Sequence, residues 1–208
     1  MTQPEPLPPP IPRAAKVAIG GLTALVVVLV GLTLRAREVP VFGPTAIGGA
    51  APVGAGPHQV TVDASNPERW THLSLARGSV VAAPGPLDWD LAFRRFEVRV
   101  NGGAGERGQG GALDLGAVAL DSVTAAPETG YVGMEAAGRD TTETLLNDWY
   151  GYSYTSHLLE PRDRTYALRT ADGRRVALRF LSYYCPGAQP GCVTLRYRFL
   201  DSVAAPTL

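Results

Sequence analysis

Residues 166–184 read YALRTADGRRVALRFLSYY, and the alternation inside them decides the fold. Tyr166, Leu168 and Thr170 fall on one face of an extended chain, Asp172-Gly173 supplies a reversal, and Val176, Leu178 and Phe180 return on the same parity. Period-two alternation on both sides of an Asp-Gly pair is the pattern of a β-hairpin with one buried face. The last extended run obeys the same rule, with Val193, Leu195, Tyr197 and Phe199 facing inward. The opposite face of these runs carries Arg169, Arg175, Arg179, Arg196 and Arg198, a basic stripe on a chain whose 19 basic side chains balance 19 acidic ones. The stripe is a candidate partner-binding surface for acidic protein or lipid headgroups. With no net charge, no nucleic-acid partner is expected.

Upstream, DWDLAFRRFEVRVN breaks the alternation: Trp89, Leu91 and Phe93 hold odd positions, whereas Phe96, Val98 and Val100 hold even ones. The spacing predicts a β-bulge at Arg94-Arg95. Helical cues in this part of the chain are confined to Asp140–Asn147, where Asp140 and Glu143 have capping-box spacing and one or two turns are expected. Residues 59–208 therefore read as one all-β domain of ordinary size.

The other end of the chain has a different composition. Residues 1–16 are a proline-rich head, expected to be an extended cytoplasmic tail. Residues 17–34, VAIGGLTALVVVLVGLTL, contain no charge and as a helix would span about 27 Å, enough for the hydrocarbon core of a bilayer. A cleaved secretory signal is the competing reading, but the run is long for one and closes on Arg35-Ala36-Arg37 with no A-x-A site beside it. Gly20 and Ala24 have the small-xxx-small spacing that lets another helix approach. Residues 35–58, rich in Gly, Pro and Ala, read as a tether.

Flanking charge does not orient this helix, because Arg13 and Lys16 precede it and Arg35 and Arg37 follow it. The cysteines do: Cys185 and Cys192 stand alone in the chain, in CPGAQPGC, and a pair closing so short a loop reads as a disulfide. Disulfides require an oxidising compartment, which places the β-domain in the periplasm and the N-terminus in the cytoplasm.

Motifs for catalysis are weak. Gly103, Gly105 and Gly108 stand in G-x-G-x-x-G register, but the residues that follow read as strand or loop instead of the helix a dinucleotide site requires. Ser153 sits in GYSYT, which is not a nucleophile elbow, and Lys16 is the only lysine, so no phosphate loop exists. Asp88 and Asp90 flank Trp89 and are expected to cap or to pair with the arginines of the bulge. His58, His72 and His157 show no ligand spacing, and the cluster of Trp149, Tyr150, Tyr152 and Tyr154 reads as core and sheet-surface aromatics.

Taken together, WDLAFRR at 89–95, NGG at 101–103, the hairpin ending in Tyr183-Tyr184 and the closing VTLRYRF resemble the HmuY-like family over nearly all of residues 59–200. The resemblance implies an all-β extracytoplasmic domain, and its founding members bind haem through a pair of axial side chains. This chain departs from that pattern in its transmembrane helix and in lacking a recognisable ligand pair; His72, His157 and Met134 are the candidates for haem. On these grounds the expected function is a non-enzymatic accessory subunit, without a cofactor, of a larger respiratory or photosynthetic membrane complex, its partners being that complex and the lipid bilayer. The alternative is a membrane-tethered haem-binding protein of the HmuY type.

Overall fold

A computed structural model describes residues 12–33, 38–48, 56–137, 140–143 and 145–200. The chain forms two units, Met1–Glu38 and Val39–Leu208. Most of the expected cytoplasmic tail lies outside the described residues.

The first unit is helix α1, Arg13–Thr33. It begins four residues before the uncharged run, because Arg13, Ala14, Ala15 and Lys16 are compatible with helix and the Pro12 carbonyl accepts from Ala15 N–H and Lys16 N–H. Its 21 residues rise about 31 Å, long and apolar enough to cross a membrane, a property that a signal sequence shares. The Thr23 hydroxyl donates to the Ile19 carbonyl and so is satisfied within the helix.

Among the described residues the second unit has thirteen strands: β1 (His58–Asp63), β2 (Thr71–Ser74), β3 (Ser79–Val81), β4 (Leu91–Arg94), β5 (Glu97–Val100), β6 (Gly111–Asp114), β7 (Glu135–Ala137), β8 (Asp140–Thr142), β9 (Tyr150–Ser153), β10 (Leu158–Pro161), β11 (Tyr166–Arg169), β12 (Arg175–Cys185) and β13 (Gln189–Phe199). One sheet runs β1-β13-β12-β11-β6 and a second β3-β2-β4-β5, with β9-β10 and β7-β8 as separate hairpins. The named pairings are all antiparallel. Val60, Val62, Leu168, Val176, Leu178 and Leu195 of the first sheet bury against Leu73, Leu91, Phe93, Val98 and Val100 of the second in one core. Each such aliphatic or aromatic side chain contributes about 1.5–3 kcal/mol on full burial.

The 166–180 hairpin has the register its alternation dictates, with Tyr166 opposite Leu178 and Leu168 opposite Val176. Its turn is tied by Thr170, whose hydroxyl donates to the Asp172 carboxylate, and Gly173 takes the positive φ of 87° that its place requires. Cys185 and Cys192 are bonded at the tip of the β12–β13 hairpin, with Cα atoms 4.9 Å apart. Arg179 lies opposite Arg196 and Arg169 opposite Arg175. Two members of the stripe have carboxylate neighbours, Arg179 paired with Asp163 and Arg196 3.8 Å from Asp121, while Arg198 donates to the Asp121 carbonyl.

Three local expectations differ from the structure. There is no bulge at Arg94-Arg95; β4 and β5 are a hairpin with Arg94 opposite Glu97, and the parity changes because the chain reverses at Arg95-Phe96. Arg95 adopts φ 56°, held by its N–H to the Ala64 carbonyl and its guanidinium to the Ser65 carbonyl. The helical cue resolves into strand β8 plus a single 3-10 turn, Leu146–Asp148, whose cap is the Glu143 carboxylate and not Asp140. The tether is not free from Val39 onward: Val41 bridges Tyr184, Thr45 N–H donates to the Thr61 carbonyl, and Thr61 N–H donates to Thr45 Oγ1. An uncharged segment can lie along a sheet without stranding a charge there. His58, placed by sequence in the tether, opens β1 with its ring 5.5 Å from that of Tyr197.

Candidate functional site

The motif residues that carried the resemblance are scaffold. Asp90 is buried, and its two carboxylate oxygens accept from Leu75 N–H (2.8 Å) and Ala171 N–H (2.9 Å), joining the second sheet to the turn of the 166–180 hairpin. Burial raises its pKa against the pull of those two donors. It does not pair with the Arg94-Arg95 segment, and Asp88 instead accepts from Gly85 N–H and lies 3.5 Å from Arg77. The Asn101 amide donates to the Pro86 and Trp89 carbonyls and accepts from Gly108 N–H. Gly102 packs so closely on Gly110 that a Cβ would come within 2.1 Å of its carbonyl oxygen. The glycine-rich stretch thus serves chain crossing, and strand β6 follows it.

Three places carry chemistry. The first is a cleft of about 670 Å³ beside β2, whose walls include Thr45, Ile47, Arg69, Trp70, His72 and Val80. That size lies within the usual range for small-molecule sites. His72 stands edge-on to Trp89, ring centres 4.9 Å apart. Burial, and secondarily the charge of Arg99, hold its pKa below the ordinary value, so its imidazole is neutral at neutral pH. The second is a smaller, polar pocket of about 290 Å³ whose walls include Trp70, Arg94, Arg99, Met134, Asp140 and Glu143. Here the Arg94 and Arg99 guanidinium carbons lie 4.7 and 5.3 Å from the centre of the Trp70 ring, and Glu97 and Glu106 pair with those arginines. Burial pushes the Glu143 carboxyl up to about 7, outweighing the N–H groups of Leu145, Leu146 and Asn147 that donate to it.

The third is the exposed tip of the β9–β10 hairpin. Tyr152 is 45% and Tyr154 84% exposed, their rings 5.1 Å apart and perpendicular. The Tyr152 hydroxyl lies 2.6 Å from His157 Nδ1. Further down the same hairpin Tyr150 meets Phe96 edge-on at 5.5 Å, which extends the aromatic surface.

His72, Met134 and His157 are not brought together. His72 lines the large cleft, Met134 lines the small pocket at 3% exposure, and His157 lines neither. Sequence reading missed the Tyr152–His157 bond, since a five-residue separation means nothing until a turn closes it. It also missed the Trp70–arginine cluster, whose members come from three chain segments. Gly20 and Ala24 lie one turn apart on α1.

The fold and these sites describe a small extracytoplasmic β-domain following an apolar helix. The HmuY protein family model matches residues 66–197, and the chain belongs to the HmuY family. Similar solved structures include a protein assigned as a lipoprotein from Bacteroides fragilis (21% identity, TM-score 0.57, 72% of this chain and 94% of that one). Another is assigned as an HmuY-like haem-binding protein from Bacteroides vulgatus (20%, TM-score 0.57, 74% and 97%). A third is the apo HmuY analogue of Tannerella forsythia (17%, TM-score 0.55, 69% and 95%). At these identities the likeness shows the fold. No curated protein matches the chain.

Family membership overturns two expectations. An accessory subunit of a respiratory or photosynthetic complex was inferred from a small-residue helix face and a proline-rich head, features that any anchored protein can carry, whereas the β-domain belongs to HmuY. The expected lack of a cofactor falls with it, because the relatives include one assigned as haem-binding. The apolar helix, the disulfide and the lipoprotein relative together describe a membrane-associated extracytoplasmic protein.

Proposed function

We propose that this chain is a membrane-anchored haem-binding protein of the HmuY type that performs no catalytic step of its own. The observation that carries the reading is the family match over residues 66–197. Helix α1 serves as an uncleaved anchor in the cytoplasmic membrane, with the N-terminus in the cytoplasm. The β-domain lies on the periplasmic side, where the Cys185–Cys192 bond is stable.

Haem supplies a flat apolar macrocycle, two carboxylates and an iron that takes axial donors. The donor set of this domain fits it: His72 offers a neutral imidazole in the cleft, and the β9–β10 tip offers a phenol and an imidazole beside exposed aromatic rings. Titrating haemin into the full-length protein in mild detergent tests the reading. A saturable, equimolar change of the Soret band is expected; a spectrum identical to haemin in detergent alone would overturn it.

A further inference from the structure

Independently of the haem reading, we propose that the cleft beside β2 binds a short zwitterionic peptide, with its carboxylate on Arg69, its ammonium on Asp63 and its backbone along the free edge of β3. The connection between β1 and β2 supplies both charges: Asp63 ends β1, and Arg69 stands two residues before β2. Among the described residues neither side chain has an ion-pair partner, although both border the one hollow. The connection is held by other bonds. Asp63 Oδ1 accepts from Ser65 N–H at 2.9 Å, and the backbone N–H of Arg69 donates to Asn66 Oδ1 at 3.0 Å, which leaves the Arg69 guanidinium and the second Asp63 oxygen for a guest. An anionic guest would satisfy Arg69 and set like charge against Asp63, and a cationic guest would do the reverse; a guest carrying both charges satisfies both.

Two further features single out a peptide among zwitterions. β3 is the outermost strand of the second sheet, and Val80, Val81 and Ala82 border the cleft. Among the described residues nothing pairs with the outer backbone groups of β3, and a free row of N–H and C=O groups is what an extended peptide adds to. His72 lies opposite Val81 in the β2–β3 register, and its ring nitrogens have no hydrogen-bond partner among the described residues. A neutral imidazole presents one N–H and one bare nitrogen in either tautomer, the complement of the C=O and N–H of a peptide bond. The exposed Ile47 and the Trp70 ring give an apolar side chain a wall, and about 670 Å³ is room for more than a single amino acid.

Isothermal titration of the full-length protein in mild detergent with L-Ala-Leu-Ala, its N-acetyl form, its C-terminal amide and the doubly blocked form tests the assignment. Binding of the free tripeptide with a Kd of about 0.1–1 mM is expected, with a loss of about 5- to 10-fold on blocking either end. D63N keeps the oxygen that accepts from Ser65 N–H, and R69Q alters an exposed side chain, so both variants keep the fold, which circular dichroism checks. D63N should weaken the free tripeptide and its amide about 5- to 10-fold and leave the N-acetyl form unchanged; R69Q should weaken the free tripeptide and the N-acetyl form and leave the amide unchanged. No heat from the wild type up to about 10 mM tripeptide, a doubly blocked form that binds as tightly as the free one, or affinities that neither variant alters would overturn the proposal. Free leucine binding more tightly than the tripeptide would overturn its assignment to peptides.

Discussion

Replacing Asp90 by alanine removes the side chain that accepts from both Leu75 N–H and Ala171 N–H, two donors in the turns after β2 and β11 and 96 residues apart in sequence. Leu75 is fully buried and Ala171 is 3% exposed, so water has little access to either orphaned group. An unsatisfied buried donor costs about 1–3 kcal/mol, so the two together give about 2–6 kcal/mol. Releasing a carboxyl whose burial is unfavourable returns part of this, as its raised pKa shows, and the net loss should be about 2–4 kcal/mol. Asp90→Asn keeps one acceptor oxygen and presents an amide N–H₂ to the second donor, so about half the loss is expected. Urea unfolding followed by tryptophan fluorescence reads both variants, since Trp89 is adjacent to the substituted position. A D90A protein within about 0.5 kcal/mol of wild type, or a D90N protein as unstable as D90A, would refute the reasoning.

Glu143 gives a pH-dependent prediction. Its folded pKa of about 7 stands above the ordinary 4.5, so its contribution to stability is complete below pH 4.5 and is lost as pH rises through about 7. The shift corresponds to about 3 kcal/mol, and E143Q should flatten the dependence of urea stability between pH 5 and 8; parallel slopes for the two proteins would contradict this. Breaking the Cys185–Cys192 bond, by reduction or by C185S/C192S, should cost about 2–3 kcal/mol of stability for so short a loop, read as a fall in Tm that reductant no longer deepens in the double variant.

The fold was legible where apolar period and turn chemistry agreed. Tyr166–Phe180 and Val193–Phe199 announce buried strands by alternation alone, and the uncharged run from Val17 announces a helix. Arg94-Arg95 was misread because a bulge and a two-residue hairpin produce the same parity change, and Arg95 lacks the glycine or asparagine that marks a reversal. Val39–Ile47 was misread because packing of an extended uncharged segment leaves no periodic trace. The candidate sites were legible only as residue types. Tyr152 and His157 meet across a turn, and the pairing of Asp90 with Ala171 depends on tertiary contact that no local spacing encodes.

Trp70 is the one residue shared by the walls of the large cleft and the small pocket. Its indole therefore belongs to both hollows, of about 670 and 290 Å³, so a change in its side-chain position alters the wall of each at once. Arg94 and Arg99 act as a latch on that ring, each cation–π contact worth about 0.5–2 kcal/mol, and Glu97 and Glu106 keep the latch engaged. The walls of both hollows thus depend on paired charge as well as on apolar packing, so removing either arginine frees one face of the Trp70 ring.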